Sequence, residues 1–164
     1  MSIFVTSATD LVALINTAGG VAFPLADITF AKPRTPTAAE VTKYGKNTAV
    51  DFKVADTSTI ATGFTTVFYD RLDLKGLENF DLTGCSVTSG LSISGWLPIV
   101  IGYLNIPFSQ SNLVDTTSST VDGKVVVSIQ AVPLSLGWFG TGTLKFENTP
   151  DISTAFNSNQ LTGF

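Results

Sequence analysis

The stretch TAVDFKVADTSTIATGFTTVFYDRLDL, residues 48–74, holds two apolar, β-branched runs separated by a polar turn. In the first run Val50, Phe52 and Val54 alternate with Asp51 and Lys53, the two-residue period of a half-buried strand. The second run, opened by Gly63, returns as the other arm of a hairpin. It ends in Asp70, Arg71 and Asp73, three charges among apolar residues. Successive strand residues face opposite sides, so Arg71 and Asp73 share a face with Val67 and Tyr69, while Asp70 lies with Phe68, Leu72 and Leu74. The two carboxylates then point apart, which spoils them as an acid/base pair or as a metal cradle. The expected role is structural ion pairing: Arg71 meets a carboxylate, or caps loop carbonyls where the strand leaves the sheet.

Upstream of the hairpin, TSATDLVALINTAGG (6–20) carries a helix signature. Ser7 stands as N-cap, Asp10 as the capping-box acid, and Gly19 as a helix terminator. Leu11, Leu14, Ile15 and Ala18 fall on one face. FPLADITF (23–30) is strand-like toward its end. AKPRTPTAAEVTKYGKN (31–47), broken by Pro33, Pro36 and Gly45, reads as a long loop that orders against a neighbour.

The same grammar recurs downstream. An offset of 85 residues carries Leu11 onto Trp96, Val12 onto Leu97, Ile15 onto Val100, Phe23 onto Phe108 and Ile28 onto Leu113. The offset then falls to 77, because the first Pro-rich loop is eight residues longer. It carries Val50 onto Val127, Ser58 onto Ser135, Gly63 onto Gly140, Val67 onto Leu144, Tyr69 onto Phe146 and Asp70 onto Glu147. GWLPIVIGYLN (95–105) is read as the second helix by this register, with Pro98 near its start. A lone hairpin is marginal in water, so the two copies are expected to share one core and to pair about a pseudo-twofold axis. The predicted fold is α+β and β-rich: one sandwich-like domain, 1–164, built by tandem duplication of a helix plus β-hairpin unit. Its pseudo-repeats span about 7–74 and 92–148, with a connector at 75–91 and a tail at 149–164.

Composition narrows the chemistry. The 164 residues include no histidine and one cysteine, so the commonest ligand of zinc and haem iron is missing, and Cys85 is expected as a small buried hydrophobe. No catalytic residue, metal site or cofactor is expected. Nucleophilic serine chemistry lacks its histidine, and the glycines of TAGG and FGTGT are explained by a helix end and a strand entry. Charged residues make up 13% of the chain and the net charge is −4, which disfavours nucleic acid as a partner. The apolar run WLPIVIGYLNIPF is too short to span a membrane, and the N-terminus lacks a signal-peptide pattern, so synthesis in a cytoplasm without secretion is expected.

LSLGWFGTG (134–142) places Trp138 and Phe139 at the tip of the second hairpin. They form the candidate interface, either as anchors for a partner or folded back to seal the core. Trp96, on the second helix, belongs to the core by its register.

The segments LINTAGG, LADI, NTAVDFKV and above all VFYDRLDL, with SLGWFGTGTLKFEN as the matching repeat, resemble small virion structural proteins of large tailed bacteriophages. That resemblance implies a non-enzymatic assembly component of a virion, made in the host cytoplasm. Its implied partners are other capsid or tail proteins and copies of itself. Capsid decoration is the first expectation, and a tail, baseplate or fibre-attachment component the alternative. A carbohydrate- or receptor-binding module, stacking a sugar on Trp138 and Phe139, is the further alternative.

Overall fold

The computed structural model describes residues 5, 7–80, 82, 84–106 and 109–148. The first helix, α1 (Ala8–Gly19), opens on a complete capping box: Ser7 Oγ accepts from the Asp10 amide, and the Asp10 carboxylate accepts from Ser7 N–H at 3.0 Å. It closes on Gly20, whose φ of 62° is left-handed. A 3-10 turn leads into β1 (Ile28–Phe30), and α2 (Ala38–Tyr44) precedes the hairpin β2 (Thr48–Val54) and β3 (Gly63–Tyr69). The connector holds β4 (Leu72–Asp73), a 3-10 turn at Leu74–Asn79 and β5 (Ser86–Val87). The second half follows as α3 (Ile93–Leu104), β6 (Ser119–Val121), β7 (Lys124–Gln130), β8 (Trp138–Phe139) and β9 (Thr141–Asn148).

The duplication is visible bond by bond. An offset of 85 superposes the bounds of α1 and α3, and sets Asn105, left-handed at φ 51°, on Gly20. Val50 pairs with Val67 in one hairpin and Val127 with Leu144 in the other, which is the same register. Ala55 N–H reaches the Asp27 carbonyl at 2.7 Å, and Val132 N–H reaches that of Asn112 at 3.0 Å. Each hairpin also carries an ion pair at its open end, Lys46 with Asp70 and Lys124 with Glu147; the acids correspond at the offset of 77, and the lysines are one position out of step.

The architecture is α+β, but each half is a helix on a sheet. Val12 and Ile15 of α1 pack with Phe52 and Val54 beneath the antiparallel sheet β1-β2-β3. Ile93, Trp96, Leu97 and Val100 of α3 pack with Val125, Val127, Ile129, Leu144 and Phe146 in the sheet β5-β9-β7-β6. The β-rich α+β architecture is thus a duplicated unit in which each helix lies on the sheet of its own half. The buried residues gather in three clusters: two smaller ones centre on the first half, one of them with Leu136 packed on it, and one large cluster joins the second half to the connector and Leu74. Trp96 is fully buried, its indole N–H on the Thr116 carbonyl at 3.3 Å, and Cys85 is a free, buried thiol.

Two expectations change. Residues 31–47 are tied to their own chain and contain α2. Thr37 and Glu40 form its capping box, Gly45 ends it in the left-handed region, and Arg34 bridges to Ala49. Pro98 lies inside α3, about one and a half turns from its start, and the exposed ring removes the amide that would bond the Ser94 carbonyl. Phe108 and the tail 149–164 lie outside the described residues.

Candidate functional site: the clasp between the two halves

The charged end of the first hairpin builds a clasp that fastens the tip of the second. β3 stops at Tyr69, so the alternation anticipated through Asp73 breaks at Asp70 and the chain re-enters a sheet only at β4. Asn47 imitates the missing strand. Its side-chain amide donates to the Arg71 carbonyl at 2.8 Å and its oxygen accepts from Arg71 N–H at 2.8 Å. That oxygen also accepts from Thr48 Oγ1 at 2.7 Å.

So held, the Arg71 guanidinium reaches across to the other half. Nε donates to Thr48 Oγ1 at 3.0 Å, and Nη1 donates to the carbonyls of Ser135 at 3.1 Å and Trp138 at 3.4 Å. The guanidinium carbon sits 5.3 Å from the centre of the Phe139 ring, within cation–π range. Among the described residues the side chain has no salt bridge, and burial pushes its pKa down. Arg71 therefore takes the carbonyl-capping role and not the ion-pair role. The physical reason is its position: the loop at 135–138 turns its carbonyls toward the strand exit, while both neighbouring carboxylates are engaged elsewhere.

Asp70 accepts from Lys46 Nζ at 2.8 Å and from Asn47 N–H at 3.0 Å, and the lysine holds its carboxyl below the usual range. Asp73 caps the 3-10 turn by accepting from Lys75 N–H at 3.0 Å. Around this centre β4 pairs in parallel with β8, Leu72 against Trp138 and Asp73 against Phe139, and Leu72 N–H reaches the Gly137 carbonyl at 2.9 Å.

Trp138 and Phe139 are thus brought to an interface inside the chain. Trp138 is 2% exposed within the large core cluster, and Phe139 is half-buried under Arg71. They are folded back, because pairing with β4 seats the indole in the core, and the platform for a sugar ring is closed. Two residues of the clasp escaped the sequence reading: Asn47, and Ser135, whose Oγ accepts from Trp138 N–H at 3.2 Å and donates to Asn112 Oδ1 at 3.2 Å. The retained pair Ser58 and Ser135 was the available signal. In both copies that amide bonds the carbonyl three residues back and closes the same turn.

A duplicated helix-on-sheet unit, clasped at its centre by an arginine, defines an α+β protein whose conspicuous charges act in construction. The chain belongs to DUF7941, a family of unknown function, which it matches over residues 1–164. No curated protein and no solved structure matches it.

Proposed function

We propose that the protein is a non-enzymatic structural subunit of a tailed-phage virion, and that it decorates the capsid. The observation that carries this reading is the clasp: of the residues that stood out as chemistry, Arg71, Asp73, Trp138 and Phe139 join two copies of one unit, and Asp70 is tied up in an ion pair within the first copy. The sequence resemblance to virion structural proteins supports the same reading. So does a surface poor in charge, whose burial against a neighbour involves little desolvation and little loss of side-chain entropy.

A tail, baseplate or fibre-attachment role is the second reading, favoured by the open sheet edge of the first half. In the strand order β1-β2-β3, β3 lies at the edge, and Phe64 on it is 85% exposed. Incubation with expanded, undecorated heads separates the two. Saturable binding in large copy number supports decoration. Absence of binding together with incorporation into tails moves the protein to the second reading, and failure of both removes the virion role.

A further inference from the structure

The connector leaving the first half completes the second. Leu74, Leu77 and Leu82 lie in one buried cluster with Trp96, Val100, Leu144 and Phe146, so they pack with α3 and with β9, the returning strand of the second hairpin. Backbone and side chains are fitted to it. A Cβ at Gly142 would lie 2.6 Å from the Leu74 carbonyl oxygen, and Glu78 accepts from Thr143 N–H at 2.8 Å. β5 then pairs in parallel along the end of β9.

The equivalent place in the first half is open. Between α1 and β3 runs an apolar groove of about 570 Å³, lined by Leu11, Leu14, Ile15, Val67 and Tyr69 among others. Ile15 and Val67 are half-buried there, where their counterparts Val100 and Leu144 are 1% and 2% exposed. Tyr44, stacked on Phe68 at 4.1 Å, adds a wall that the second half lacks.

The tail repeats the connector. Asp151-Ile152 echoes Asp73-Leu74, and Leu161-Thr162-Gly163 echoes Leu82-Thr83-Gly84, with one residue more between them. A segment written like the one that fills the second groove thus follows the second half, as that one follows the first.

The relation between the halves decides whose groove it fills. The tip of the second hairpin docks on the first half: Leu136 packs against the cluster of Val5, Leu11, Val50 and Tyr69, and Ser135 is held by Arg71. A two-fold relation would dock the first hairpin's tip on the second half in the same way. Instead Thr59, Ile60, Ala61 and Thr62 are exposed, and Leu91, beside the start of α3, bonds to Ser118 of its own half. The contact between the halves is head-to-tail, the kind that between molecules builds rings or filaments.

We propose that residues 149–164 of one molecule occupy the α1–β3 groove of a second copy of this chain, with the exposed tip at 59–62 of that copy set against the end of β9. The protein then assembles head-to-tail, each molecule offering one donor segment and one acceptor groove. The inference stands apart from the place of the protein in a particle, so its failure leaves the virion reading to be judged on heads and tails.

Light scattering across a concentration series tests it with four chains: the full chain, a chain lacking 149–164, and two groove variants. Leu14→Glu places a charge on the groove wall, and Ala18→Arg does so at an exposed position where folding is not at stake. The full chain is expected to form concentration-dependent species of two or more molecules, and each variant alone to remain a monomer. Mixing the tail-less chain with a groove variant leaves one donor and one acceptor, so a 1:1 pair that grows no further is the expected result. A monomeric full chain at every concentration overturns the proposal. So does a tail deletion that lowers the melting temperature of a full chain already monomeric, since the tail then fills its own molecule's groove.

Discussion

Arg71 does at the clasp what a lysine cannot, because its fork meets Thr48, Ser135 and Trp138 at once while its flat face lies over Phe139. Arg71→Lys is expected to lower stability by about 1.5–3 kcal/mol, the range for hydrogen bonds made by a charged group, as read by urea denaturation. An unchanged midpoint would show the two tip carbonyls to be equally well served by water. Tyr69 is a second residue with a measurable consequence. Its hydroxyl is buried without a hydrogen-bond partner among the described residues, and burial raises its pKa to about 12. The folded state holds that proton more tightly than the unfolded chain, so the contribution is complete below pH 10 and is lost as pH rises toward 12. Tyr69→Phe is expected to leave stability at pH 7 unchanged or slightly raised, and to flatten the alkaline fall in melting temperature. Glu40 works in the opposite direction. Paired with Arg34 at 2.8 Å and bonded by Thr37 N–H, its carboxyl is lowered to about 2, so its contribution is present above pH 4.5 and is lost on acidification toward 2. Glu40→Gln should remove part of the acid sensitivity, and an identical acid profile would count against the pairing.

At the scale of elements, the contrast between the two hairpins turns on what covers the returning strand of each, β3 or β9. Gly142 is the fitted position in β9, since any Cβ there runs into the Leu74 backbone, which has no rotamer to escape by. Gly142→Ala is expected to cost about 1–3 kcal/mol, the usual range for an overpacked core, and to loosen the connector first, which proteolysis within 74–87 would report. The same change at the equivalent Thr65 should be nearly neutral, because that site is exposed. Elements of this kind were unevenly legible in the sequence. α1 was readable because Ser7 and Asp10 cap a run with a clear apolar face, and β2 because Val50, Phe52 and Val54 alternate with charges. α2 was obscured by Pro33 and Pro36, although Thr37, Glu40 and Gly45 spell a capping box and a left-handed stop. The clasp was legible only in part. Charge placed Arg71 at a strand exit, but its partners are main-chain carbonyls 64 and 67 residues away, and a carbonyl leaves no mark in a residue pattern.

Across the whole molecule the stability is expected to be uneven. The second half owns the large cluster, and the connector seals it, whereas the first half has two small clusters beside an open groove. Amide hydrogen exchange should therefore be slower in β7 and β9 than in the matching residues of β2 and β3. Equal protection in the two hairpins would mean that the clasp couples the halves into one unfolding unit. The duplication itself was readable from apolar positions alone, because helix and hairpin keep one register in both copies. The division of the core was not, since it depends on which half the connector covers, and that is a matter of path and not of pattern. The α2 insertion bears on how such a chain avoids error during folding. If residues 149–164 fill a cleft as the connector does, two related clefts beside two related segments invite exchange, in which a segment enters the wrong cleft and entangles its neighbours. Tyr44, stacked on Phe68, narrows one cleft and leaves the other unchanged. On that proposal the eight extra residues would act as a key: the Tyr44 wall makes the two seats distinguishable, so that each segment has one berth.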